Sequence, residues 1–79
     1  MDILDKNQGN IELLQIKLSL TYREAEVLHW VMLGKTNRDI GQILTVSNRT
    51  IDKHLQHIFQ KMNVETRTRA ICLAFDFYK

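Results

Sequence analysis

Three histidines, one cysteine and a polar surface near residue 50 are the groups in this 79-residue chain whose types could do chemistry. His54 and His57 stand three positions apart and could share a helix face, but a closed zinc site needs four ligands. Only Asp52 lies near them, and no cysteine stands at ligand spacing. His54 lies beside an apolar stripe and reads as packed and hydrogen-bonded, while His57 points outward. Cys72, between Ile71 and Leu73, reads as a small core hydrophobe rather than a nucleophile. A single cysteine excludes an internal disulfide and fits a reducing, cytoplasmic setting. The three glycines are scattered, so no phosphate-cradling loop is present. No catalytic, metal or cofactor site is expected, and the chain does not read as an enzyme. What remains is the set Asn48, Arg49, Lys53, Gln56 and His57, whose donors and acceptors suit recognition.

Recognition needs elements that hold such a face outward. The best signal starts at Thr21, which forms a capping box with Glu24, each side chain meeting a backbone N–H at the other end. Val27, Leu28, Val31 and Met32 follow at helical spacing, and Gly34 ends the helix after about Leu33. Thr36 or Asn37 caps a second, short helix with Asp39 in its first turn and Ile40, Ile43 and Leu44 as its buried stripe. Ser47 caps a third helix that buries Ile51, Leu55, Ile58, Phe59 and Met62 and stops at Asn63. A last helix begins near Thr66 and uses Ala70, Leu73, Ala74 and Phe77. The short helix, tight turn and longer helix fit a helix-turn-helix, although any small helical bundle also shows a solvated charged face. Gly41 sits where its two helices approach, and Ile40, Leu44, Val46, Ile51 and Leu55 hold the angle. A major groove about 12 Å wide admits one such helix.

The chain before Leu20 reads differently. Residues 1–10 form a polar, mobile tail. Leu14, Ile16, Leu18 and Leu20 alternate with Gln15, Lys17 and Ser19, a period of two that predicts an extended segment on the core. A short helix after Asn10 is the alternative. The expected organisation is a tail or linker over 1–19 and one all-α, four-helix domain over 20–79. Met1 then opens either a freestanding small protein or a piece of a longer chain, with residues 1–19 as its linker.

Composition is consistent with this plan. The chain is 44% hydrophobic and 25% charged, with no proline, which suits a small helical domain. No apolar run approaches the ~18 residues of a membrane span, and the N-terminus lacks a signal-peptide pattern. The net charge is only +2, but it is unevenly placed. Residues 1–33 carry −2 and residues 34–69 carry +4, which permits an anionic partner in the second half.

The pieces LTYREAEVL, GKTNRDIGQIL, VSNRTIDKHL and MNVETRTRA, in that order, resemble the LuxR/GerE-type DNA-binding domain of bacterial response regulators and quorum-sensing regulators. The likeness covers residues 20–74. It implies four helices, the second and third reading double-stranded DNA and the fourth often forming a homodimer. Under the resemblance Glu24 is a fold-stabilising cap, and Thr36 and Asn37 touch phosphate. Ser47 and Thr50 hold a phosphate at the start of the recognition helix, about 47–62. Ile51, Leu55 and His54 are structural, and Lys53, Gln56 and His57 take the outward positions that vary with operator sequence.

The resulting expectation is a sequence-specific DNA-binding domain of a bacterial transcriptional regulator. Lys35, Arg38, Arg49, Lys53 and Lys61 would neutralise phosphates, and Arg49, Lys53, Gln56 and His57, beside Asn48, would meet base edges. Five neutralised phosphates imply a log–log salt slope of roughly −4 to −5. Arg67 either grips phosphate or braces its loop. Asp52 departs from the lysine, arginine or asparagine common at its position. It either accepts from a cytosine amino group or pairs with Arg49, Lys53 or Gln56 within its own helix, the latter being favoured. Trp30 reads as packing rather than a stacking platform. Leu73, Phe77 and Tyr78, with Cys72 alongside, make an apolar end that suits a homodimer contact. The competing reading is a helical protein-interaction module that binds another regulator or RNA polymerase without reading bases. No membrane partner is expected.

Overall fold

In the computed structural model the described backbone runs from Ile3 to Tyr78, and the described side chains from residue 10 to residue 77. Five α-helices follow one another: α1 (Ile3–Leu18), α2 (Tyr22–Met32), α3 (Asn37–Leu44), α4 (Asn48–Met62) and α5 (Arg67–Phe75). A 3-10 turn, Asp76–Tyr78, follows α5. The described residues contain no strand. None of their helices is long and apolar enough to cross a membrane.

The starts of α2 to α5 are fixed by side chains. Thr21, Thr36, Ser47 and Thr66 each accept a hydrogen bond from the backbone N–H three residues on, at Glu24, Asp39, Thr50 and Arg69. Glu24 and Asp39 return the bond to the cap's own N–H, completing two capping boxes. The four caps begin where the residue types predict.

The ends of α1 to α4 share one device. Each is followed by a left-handed residue: Ser19 (φ 55°), Gly34 (φ 84°), Thr45 (φ 60°) and Asn63 (φ 57°). The next N–H then returns to a carbonyl five residues back, from Leu20 to Gln15, Lys35 to Trp30, Val46 to Gly41 and Val64 to Phe59. This satisfies carbonyls that the helix leaves open. Only Gly34 adopts the conformation without steric cost.

One core joins the helices. Leu14 of α1, Val27, Leu28 and Val31 of α2, Ile40 of α3, and Ile51 and Ile58 of α4 are fully buried. Ala70 and Ala74 bring α5 against the same cluster, and Trp30, Leu44, Val46 and Phe59 pack around it half-buried.

Four sequence expectations are corrected. The segment over 14–20 expected to be extended is helical as far as Leu18, as the alternative of a helix had it. Ile11, Leu14 and Leu18 lie at helical spacing on the core side, and Ile16, which the alternation would bury, is 76% exposed. α1 packs on the same core through Ile11 and Leu14, one extra helix ahead of the four expected. What was read as a tail is helical from Ile3, while Met1 and Asp2 lie outside the described residues. Ile43 is exposed, because the stripe of the eight-residue α3 is filled by Ile40, Gly41 and, in part, Leu44. Cys72 is exposed as well, since Ala70 and Ala74 supply the inward face of α5.

Candidate nucleic-acid interface

α3 braces α4 through a close approach that depends on Gly41. A Cβ there would meet the Val46 backbone carbonyl at 2.7 Å, so no larger residue fits without moving the turn. Thr45 and Val46 reverse the chain, and Ser47 starts α4. The Ser47 hydroxyl also lies 3.0 Å from that of Thr50, which places both at the exposed start of α4. At the start of α3 the Asp39 carboxylate accepts from the Thr36 backbone N–H, while the Asp39 N–H donates to the Thr36 hydroxyl oxygen, and hydrogen bonding to Thr36 holds the carboxyl below the usual aspartate range.

The two sides of α4 are tied to other helices. On one, Asp52 Oδ1 accepts from Asn37 Nδ2 at 2.6 Å. Asn37 Oδ1 in turn accepts from Arg67 Nη1 at 2.6 Å, and Arg67 Nη2 donates to the Lys35 carbonyl at 2.7 Å. On the other, Lys61 Nζ donates to Glu24 Oε1 at 2.7 Å, with His57 Nδ1 3.9 Å from Oε2. Glu24 is buried. Burial would raise its pKa, but bonds from Lys61 and from the Thr21 backbone outweigh that and hold it below the usual glutamate range.

Helix geometry makes these ties the borders of one surface. Asp52 and Lys61 are nine positions apart, which is about two and a half turns, so they lie on opposite sides of α4. Arg49, Lys53, Gln56, His57 and Gln60 all fall on the half-circle between them, and all are exposed. Ile51, Leu55, Ile58 and Met62 fill the other half and are buried. Asn48, Ser47, Lys35, Thr36 and Arg38 are exposed beside this face, with Thr50 and Asn37 half-buried. The arrangement sets Arg49, Lys53 and Gln60 near the middle of the face, Gln56 and His57 nearer its borders.

Several candidates have partners that sequence reading did not foresee. Asp52 pairs not within α4 but with Asn37 of α3, which corrects the intrahelical expectation. Arg67 braces α3 and its loop. Lys61 is engaged by Glu24. These bonds join residues 15, 30 and 37 positions apart, and no local pattern signals such distances. Gln60 shares the outward face with Gln56, as the helical spacing predicts, though it was not among the contact candidates. His54 is half-buried, as is Trp30, whose ring meets His29 edge-on at 5.1 Å between centroids. On α5, Leu73 and Phe75 are exposed. Phe77 is half-buried in the 3-10 turn, and the side chain of Tyr78 lies outside the described residues. Among the described residues no group of three or more His, Cys, Asp or Glu could hold a metal.

The profile of a family described as bacterial regulatory proteins, luxR family, matches residues 18–74. The chain is 43% identical over 62 residues to the transcriptional activator protein AnoR of Acinetobacter nosocomialis, covering 78% of this chain and 26% of that protein. It is 48% identical over 52 residues to the transcriptional regulatory protein DegU of Brevibacillus brevis, covering 66% and 22%. For the transcriptional regulatory protein LiaR of Bacillus subtilis the identity is 41% over 56 residues, covering 71% and 26%. The chain thus spans about a quarter of the length of the curated relatives it matches. No solved structure matches it.

Proposed function

The chain belongs to the luxR family of bacterial regulatory proteins, and from that premise we propose that it is a sequence-specific DNA-binding domain of a transcriptional regulator. α4 enters the major groove, and Arg49, Lys53 and Gln56, flanked by Asn48 and His57, meet base edges. Lys35, Arg38 and the start of α4 at Ser47 and Thr50 hold phosphates. The observation that carries this reading is the exposure of Lys53, Gln56 and His57 on a helix whose opposite face is fully packed. Duplex DNA places the site of action in the bacterial cytoplasm. A homodimer through α5 is part of the proposal, supported by the exposed Leu73 and Phe75. Half-sites would then lie about one helical turn apart.

Titration of the isotope-labelled chain with duplexes enriched from a random pool tests this. Amide shifts are expected to cluster on residues 47–60. Lys53→Ala and Gln56→Ala each should weaken binding by about 1–3 kcal/mol while leaving the melting temperature unchanged. Shifts confined to other surfaces would favour a protein-interaction module instead.

A further inference from the structure

Resting on the reading of α4 as the recognition helix, we propose that Asp52 is a positioning residue that fixes the rotation of α4 through Asn37 and Arg67. By doing so it sets how Arg49, Lys53 and Gln56 meet the base pairs, without touching a base itself. The chemistry of the chain of bonds allows one arrangement only. A guanidinium solely donates and a carboxylate solely accepts. The Asn37 amide must therefore turn its oxygen to Arg67 and its nitrogen to Asp52, as the distances of 2.6 Å on each side have it.

The same chain answers how a carboxylate is tolerated beside phosphates. Asp52 is linked through one amide to the positive charge of Arg67, which is itself anchored on the Lys35 carbonyl at 2.7 Å. The carboxylate's Oδ1 is already occupied by Asn37. Because Lys61 is tied to Glu24 on the opposite side of α4, releasing Asp52 leaves the two flanks unequally held, and the helix settles at a slightly different roll on its packed face. A roll displaces every outward side chain together. Loss of a single base contact would instead affect a single position.

The experiment compares full-length Asp52→Ala, Asp52→Asn and Asn37→Ala with the parent chain, by selection from randomised duplexes and by binding to one selected and one unrelated duplex. An asparagine at 52 can still accept from Asn37, so D52N should keep the parent's sequence preference. D52A should lose about fivefold or more of the ratio between selected and unrelated DNA, spread over all read positions. Its binding to unrelated DNA should hold or rise, since a negative charge has left the surface. Asn37→Ala, which alters α3 rather than α4, should blur the same positions. In the free chain, the Asn37 side-chain amide resonances should move in D52A and stay near the parent's in D52N. The proposal is overturned if D52A relaxes preference at one base pair alone, which marks a direct base contact. It is equally overturned if D52A selects the parent's sequences unchanged, or if D52N behaves as D52A. A parent chain that enriches no sequence overturns the underlying DNA reading, and this proposal with it, before any variant is compared.

Discussion

His29 and Glu24 are the two buried ionisable side chains among the described residues, and they give the domain a defined acid response. His29 is 5% exposed, and its Nε2 has no hydrogen-bond partner among the described residues. Burial lowers its pKa because the charged imidazolium loses its hydration. Both groups therefore bind protons less readily folded than unfolded. Stability is complete above the ordinary histidine value of about 6.5 and is lost as pH falls from there through the lowered value of the folded state. Glu24 adds a second loss, beginning below the ordinary glutamate value of about 4.5. Urea unfolding between pH 7.5 and 5 should show the first decline, and His29→Leu should flatten it. A slope unchanged in that variant would assign the proton uptake to another group. Neither burial was readable beforehand in full. Glu24 announced its cap through its distance from Thr21, but its salt bridge to Lys61 crosses 37 positions, and His29 stands in a helix whose polar and apolar residues do not mark its side.

At the scale of elements, starts were more legible than ends. A threonine or serine three residues before the N–H it caps is a local signal, and all four such starts could be placed. Endings rely on left-handed residues, and only Gly34 and Asn63 belong to types that favour that conformation. Ser19 and Thr45 do not, and the apolar residues after them, Leu20 and Val46, give the better clue. The first helix stood only as the alternative, and begins earlier than after Asn10, for a related reason. Residues 11–20 carry both a period of two and the spacing Ile11–Leu14–Leu18, and Ile16 is the residue on which the two patterns disagree. The turn between α3 and α4 admits a sharp test. Gly41→Ala adds one methyl group against the Val46 carbonyl, and although alanine favours helices, the clash should cost about 1–3 kcal/mol. Chemical denaturation checks this. A stabilised Gly41→Ala chain would mean that the two helices can separate without penalty.

For the molecule as a whole, the distribution of charge matters more than its sum. The positive excess of the second half was visible in the sequence, but which cations are available was not. Lys61 is bonded to Glu24 and Arg67 to Asn37 and the Lys35 carbonyl. Lys35, Arg38, Arg49 and Lys53 are exposed and form no ion pair among the described residues. If all four, Arg49 and Lys53 included, also offset backbone charge, the slope of log affinity against log salt is no steeper than roughly −3.6, shallower than five would give. Binding measured across a salt series decides between them, and a slope near −5 or beyond would show that the braced cations also reach the backbone of the duplex.

The burial of Ile11 and Leu14 separates two lengths that are easily confused. The stretch shared with other regulators starts at residue 18, whereas the interior is already being filled at Ile11. Excising the shared stretch alone would strip two aliphatic plugs from the hydrocarbon interior and leave their neighbours wetted. The portable signature and the self-supporting body are not the same piece of polypeptide.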